Sequence, residues 1–155
     1  MTSDWRDDRV SAALHGENPT VLRRLDASFA VIGDVQFLPG YSVAISDTVG
    51  VDRLSDLSRA ERLRFLGDME RLGAAVESVC AEFDPAFVRV NLEILGNADA
   101  FLHAHVWPRY EWEGDLVKRP VWLHPVASWS APATALGPQH DALRAALSAQ
   151  LDASS

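Results

Sequence analysis

Phe101-Leu102-His103-Ala104-His105-Val106-Trp107-Pro108-Arg109-Tyr110 is the stretch on which the fold turns, because it reads as a strand that presents two imidazoles to one side. Strand side chains alternate faces, so Phe101, His103, His105 and Trp107 point one way while Leu102, Ala104 and Val106 point the other. The second set is small and apolar and suits a core, which leaves both histidines on a rigid element facing a cleft or solvent. Pro108 cannot donate a ladder hydrogen bond, so the strand is predicted to end there.

Three readings of the two histidines compete. They are half of a zinc site, but zinc takes three or four ligands, and Cys80, His15, His124 and His140 offer no recognisable second pair. They merely decorate an exposed sheet face, which is the ordinary reading of one histidine and a weaker one for two in register behind Gly96-Asn97. Or one imidazole attacks a phosphorus or acyl centre while the other helps bind the charge that develops.

At this point the residues resemble a known family. Ile94-Leu95-Gly96-Asn97, followed after three residues by Phe101 to Tyr110, is similar to the signature of the histidine triad (HIT) family of nucleotide hydrolases and transferases. That signature is His-x-His-x-His and two apolar residues, often then Pro-Arg, with a Gln or Asn shortly before it. Phe37-Leu38-Pro39-Gly40-Tyr41-Ser42-Val43-Ala44-Ile45 resembles the family's proline-glycine turn into an apolar strand, and Leu54-Ser55-Asp56-Leu57-Ser58 its lead into a long helix. The resemblance runs from Ser28 to Tyr110 and is of the bacterial diadenosine-polyphosphate-hydrolase-like kind that lacks the first histidine. With His105 on the third histidine and His103 on the middle, nucleophilic one, Phe101 stands where the first would be. A positioned acid, base or orienting group is worth about 10² to 10⁴-fold, so this dyad is expected to slow the catalyst rather than silence it.

The resemblance implies an α+β fold: about five antiparallel strands in one sheet, one long helix across it, and peripheral N- and C-terminal helices. It implies a homodimer joined partly through the long helices. It implies hydrolysis at the α-phosphate of a nucleoside 5′-phosphate derivative, a dinucleoside polyphosphate or a phosphoramidate, through a nucleotidyl-histidine on His103. His105 and Asn97 would bind the phosphate, and Asp34, Val35 and Phe37 are candidates for the nucleoside pocket, although an ordinary hairpin tip explains those three as well. Asn97 also suits a turn backbone, and Asn91 is a weaker candidate on the neighbouring strand. No cofactor is called for, and a magnesium ion arriving with a polyphosphate substrate is compatible with the chemistry. A nucleotidyltransferase, or a nucleotide-binding sensor without turnover, are the alternatives.

The rest of the chain fits one soluble domain over 1–155, with a core over about 18–125 and a C-terminal helix over about 138–152. At 155 residues, 48% of them hydrophobic, the chain is long enough to sustain one core. It has no apolar run that would span a bilayer, and Met1-Thr2-Ser3-Asp4-Trp5-Arg6-Asp7-Asp8 is charged where a signal peptide is apolar. The lone Cys80 excludes an internal disulfide and suits a reducing cytoplasm. A formal charge of −8 argues against nucleic-acid binding. An anionic substrate would have to be attracted locally, by backbone amides, the two histidines, and Arg109, Lys118 or Arg119.

In chain order, a short helix is predicted over Trp5 to His15, with Val10, Ala13 and Leu14 inward and Gly16 as its stop. Strands follow over Thr20 to Leu25, Phe29 to Gly33 and Tyr41 to Ser46. Ser58-Arg59-Ala60-Glu61 is a capping box opening the long helix, and Asp84-Pro85 breaks it. Leu63, Leu66, Met69, Leu72, Val76, Val79 and Phe83 form its apolar stripe, with Arg62, Asp68, Arg71 and Glu77 on the solvated face. Cys80 reads as a small buried residue. A strand over Phe87 to Leu95 then closes a hairpin at Gly96-Asn97-Ala98-Asp99. Beyond Tyr110, Pro120-Val121-Trp122-Leu123 suggests a short strand or an arm over a neighbouring subunit. Trp112, Trp122 and Trp129 read as anchors of a tail, with His124 or Trp122 offering substrate selection. Gly137-Pro138 opens the last helix, striped by Leu143, Ala146, Leu147 and Leu151.

Overall fold

The computed structural model describes residues 4–154, so Met1 to Ser3 of the N-terminal stretch, and Ser155, lie outside the described residues. Five strands form one antiparallel sheet: β1 Val21–Arg24, β2 Ser28–Ile32, β3 Ser42–Ser46, β4 Phe87–Glu93 and β5 His103–Tyr110, in the order β1-β2-β3-β5-β4. Helix α1 (Arg9–Leu14) precedes the sheet, α2 (Arg59–Phe83) crosses it, and α3 (Val126–Ser130) and α4 (Asp141–Ala153) follow. The fold is α+β, with the histidine strand β5 flanked by β3 and β4.

The alternation read from the sequence explains the burial. Leu102, Ala104 and Val106 are buried in the core that α2 covers with Phe65, Leu72, Val76 and Val79. On the other side of α2 lies α4, whose Leu143, Leu147 and Leu151 complete a second layer of the same core. The start of α2 is the predicted capping box: Ser58 Oγ accepts from Glu61 N (3.3 Å) while Ser58 N donates to Glu61 Oε2 (2.8 Å). Asp84 ends the helix immediately before Pro85. Gly73 lets α2 approach β4, since a Cβ there would lie 3.1 Å from Leu92 Cδ2, whereas Gly67 faces open space.

Several expectations need correction. The helical stripe is rotated: Phe65 is buried, while Leu63 (54% exposed) and Phe83 (51%) face outward. Asp68, read as solvated, is buried because its carboxylate caps the β1–β2 turn, accepting from Asp26 N (3.2 Å), Ala27 N (2.8 Å) and Ser28 Oγ (2.7 Å). Pro108 does not end β5, which runs on to Tyr110 paired with β4. β3 pairs with β5 only as far as Val106, so beyond it β5 has a partner on one side only and tolerates a residue without an N–H. The link from β4 to β5 spans residues 94–102 rather than a tight turn, with Gly96 at φ +73°.

At the N-terminus α1 is only Arg9–Leu14, opened by Asp8, whose side chain accepts from Ser11 N, and Leu14 is turned outward. Pro120 to Leu123 is neither a strand nor an arm reaching away: Val121–Leu123 is a 3-10 turn laid over the chain's own sheet. The last helix is preceded by one 3-10 turn, Pro138–His140. Cys80 is buried as expected, its Sγ 3.6 Å from the Pro39 carbonyl, and burial pushes its thiol up to about 11. It leaves no room for a side chain at Gly40, whose φ is +101° and whose Cβ would fall 2.2 Å from the sulfur.

Candidate active site

The side of β5 turned away from α2 carries the site. His103 Nδ1 lies 2.7 Å from the Phe101 carbonyl oxygen. A carbonyl only accepts, so Nδ1 carries the proton and Nε2 is left with its lone pair. The Phe101 ring stacks on the His103 imidazole, centroids 4.4 Å apart, and so braces the ring whose tautomer its own carbonyl fixes.

His105 is held from the other side of the strand. Its Nδ1 is 2.7 Å from the Tyr41 hydroxyl, which comes from the start of β3. Burial raises the Tyr41 pKa well above the ordinary phenol, so this hydroxyl stays protonated and donates, and Nδ1 is its acceptor. Nε2 of His105 therefore bears the ring proton. Burial, and then the neighbouring His103, lower the His105 pKa to about 4, so at neutral pH it is a neutral ring with one N–H to offer. The two rings stand edge to face, 4.8 Å between centroids. One presents a lone pair and its neighbour a donor, which is what a nucleophile and a stabiliser of negative charge need.

Behind them Tyr41 lies flat on Trp107, centroids 3.5 Å apart. The loop that leads into Tyr41 is fixed by Gln36, whose Nε2 donates to the carbonyls of Gly33 (3.0 Å) and Tyr41 (2.9 Å) and whose Oε1 accepts from Gly40 N (2.9 Å). A cleft of about 310 Å³ opens on the β3 side of the histidines, walled by Val31, Ile32, Val35, Val43 and Ile45 with Phe101 and Trp129. Asp34 sits on its rim, its carboxylate engaged by Arg9 (2.7 Å). Of the residues expected to bind the nucleoside, Asp34 and Val35 thus line this cleft. Phe37 lies outside its wall, packed on Trp107, His124 and Trp129. Asn97 is exposed on the β4–β5 connection and shares clefts with His103.

Arg109 is not available to a phosphate. It is buried, with Nε and Nη2 on Glu113 (2.9–3.1 Å), Nη1 on Asn91 Oδ1 and the Arg119 carbonyl (both 2.8 Å), and Nη2 also on the Leu116 carbonyl (2.7 Å). It ties down the segment after β5, and it engages Asn91 as well. That segment returns across the site: Gln36 N donates to Thr134 O (2.6 Å) and Leu136 N to Asp34 O (2.8 Å). His124 is buried within it, Nδ1 3.0 Å from the Val121 carbonyl. Its Nε2 is 3.0 Å from Glu113 Oε1 but off the direction of a hydrogen bond, so we treat that pair as proximity only. Tyr41 and Glu93 are the site residues that the sequence reading did not single out. Tyr41 appeared only as the first residue of a strand, because a tyrosine next to a Pro-Gly turn carries no signal of its partner across the sheet.

No family model matches the sequence, and no curated protein is recognisably similar to it. Solved structures are. A histidine triad protein of Marinobacter aquaeolei VT8 superposes with a TM-score of 0.66 at 20% identity, over 87% of this chain and 90% of that one. The chain has the histidine triad fold. A histidine triad (HIT) protein of Sinorhizobium meliloti 1021 matches with a TM-score of 0.66 at 18% identity, over 99% of this chain and 96% of its own, and a zinc-bound histidine triad family protein of Mycobacterium smegmatis with 0.60 at 20%, over 92% and 91%. In the histidine triad fold of this chain, Phe101 occupies the strand position two residues before His103.

Proposed function

We propose that the protein is a nucleotide hydrolase that cleaves nucleoside 5′-phosphate derivatives at the α-phosphorus through His103. The observation that supports this most directly is the pair of fixed tautomers at the head of an apolar cleft: Nε2 of His103 bare, Nε2–H of His105 beside it. The nucleoside lies in the cleft of Val31, Ile32 and Ile45, and the His103 Nε2 lone pair forms the bond to phosphorus as the leaving group departs with the electron pair of the bond it breaks. With Nδ1–H still on the Phe101 carbonyl, the nucleotidyl-histidine is a cation that the carbonyl stabilises. His105 Nε2–H and the Asn97 amide donate to the phosphoryl oxygens as their charge grows. Water then attacks phosphorus, the electron pair returns to Nε2, and the nucleoside monophosphate leaves with one proton passed to solvent.

The chemistry needs no resident cofactor, and magnesium enters only with a polyphosphate. The zinc of the Mycobacterium smegmatis protein has no counterpart donor set, since no three His, Cys, Asp or Glu converge among the described residues. We further propose a homodimer joined along the free edge of β4, and a cytoplasmic setting that suits the single buried thiol of Cys80. Among the described residues no helix is long and apolar enough to cross a membrane.

The test is release of nucleoside monophosphate from a panel of dinucleoside polyphosphates, phosphoramidates and nucleotide sugars. Release that His103→Asn abolishes is the expected result. Nucleotide binding without release from any substrate overturns the hydrolase in favour of a sensor in which Phe101 has cost the activity. Acceleration by a second phosphate acceptor, which captures the nucleotide, makes it a transferase.

A further inference from the structure

A second cleft, of about 290 Å³, meets the first at the histidines. It is lined by Leu95, Ala98, Asp99, His103, His105 and Trp122 together with the Gly96-Asn97 turn. Because β5 lies between β3 and β4, and this cleft is built from the connection leaving β4, the two clefts lie to either side of the same pair of imidazoles. A substrate whose phosphorus sits over His103 and whose nucleoside fills the first cleft has its other half at the second.

Trp122 gives that second cleft its character. It is 45% exposed, yet its ring is fixed. Its Nε1–H donates to Glu93 Oε2 (3.0 Å), its face lies on Trp129 (centroids 4.8 Å, 4° between planes), and it meets His105 and Trp107 edge to face at 5.3 and 6.1 Å. A large flat ring held rigidly and left open to solvent is a stacking surface whose ordering cost has been met in advance. Leu95, 45% exposed, faces the same space. The neighbouring polar cleft of Asp52, Arg53 and Asn97 touches His103 alone, and the Arg53 guanidinium is already on Asp56 (3.0 Å).

We propose that this second cleft is the leaving-group site and that Trp122 selects leaving groups carrying a flat apolar ring over compact ones. The inference rests on the hydrolase reading above. In a phosphoramidate the P–N bond breaks as the His103 Nε2–P bond forms, and an amine nitrogen already protonated leaves as the neutral amine.

The probes are two nucleoside 5′-phosphoramidates, of phenethylamine and of ethylamine, on the nucleoside released fastest in the panel. The expected result is a kcat/KM ratio of roughly tenfold or more for phenethylamine over ethylamine, the scale on which an apolar pocket distinguishes added carbon. Trp122→Ala brings the ratio towards one and Trp122→Phe retains most of it. Because His105 acts on both probes, the ratio cancels any disturbance of the imidazole that Trp122 touches. Leu95→Lys, on the opposite wall and on an exposed connection, lowers the ratio without touching Trp122. A wild-type ratio near one, or a ratio that survives both Trp122→Ala and Leu95→Lys, overturns the leaving-group site while leaving the hydrolase intact. Failure to release monophosphate from either amine and from every member of the panel overturns the hydrolase, and this inference with it.

Discussion

At the scale of single residues, the site is a set of tautomers fixed by oxygen atoms. Phe101 supplies a carbonyl to His103 and Tyr41 a hydroxyl to His105. Tyr41→Phe keeps the stack on Trp107 but removes the donor, so His105 loses the bond that keeps its proton on Nε2. We expect kcat to fall roughly tenfold to a hundredfold with KM less affected, since orienting groups act mainly on the transition state; steady-state kinetics on the fastest substrate measures it. The burial of His105 also predicts a pH dependence of folding. Above pH 6.5 its ring is neutral both folded and unfolded and contributes no slope. As the pH falls from 6.5 to about 4 the unfolded chain takes up a proton that the folded site refuses, so stability drops across that window and levels off below it. The full effect is about 3 kcal/mol. Urea unfolding at pH 7 and pH 4.5 should show it in the wild type and a smaller loss in His105→Gln. The two histidines and their facing were legible from the alternation of β5, which depends on nothing but strand geometry. Tyr41 was not, because its role is created by the register of β3 on β5, where Val43 rather than Tyr41 opposes His105, and register is a tertiary fact.

At the scale of elements, local chemistry was the readable part. The capping box Ser58 to Glu61 and the stop at Asp84 are set by backbone groups within a few residues, and both formed where the sequence placed them. The inward face of α2 was misread where a polar residue went in: Asp68 looks solvated on a helical wheel, but the β1–β2 turn needs an acceptor for two amides and the Ser28 hydroxyl, and α2 passes beside it. Arg109 misled in the same way, since a cation beside two histidines suggests a phosphate ligand until Glu113 is seen to claim it. The cost of removing Asp68 is therefore that of stranding its donors. We expect Asp68→Ala to destabilise the protein by about 2–4 kcal/mol through unpaired buried groups, read as a lower urea midpoint at unchanged slope. Asp68→Asn, which keeps one acceptor oxygen, should cost less. Equal losses in both variants would mean that charge rather than hydrogen bonding holds the turn.

At the scale of the molecule, the two edges of the sheet are treated differently. β1 is four residues long and carries Arg23 and Arg24, paired with Asp152 (2.6 Å) and Asp47 (3.3 Å), which blunts that edge. β4 is seven residues long, and Val88 (47% exposed) and Leu92 (44%) stand open along it. A chain with a formal charge of −8 repels its own copies at long range, so an unpaired apolar edge of this length is a surface to be covered by close contact rather than by charge. Antiparallel pairing of β4 with a second β4 about a two-fold axis satisfies both strands at once and is self-closing. The proposed homodimer is expected to sediment at twice the 17.0 kDa of one chain. Leu92→Lys sets like charges near one another across the axis and should shift the equilibrium to monomer. Added salt restores part of the dimer in that variant, because it screens the new repulsion. The wild type should respond less, its association being apolar and hydrogen-bonded. A wild type that sediments as a monomer at concentrations well above those used for kinetics would remove the dimer, and would leave the site intact, since every residue placed in it belongs to one chain.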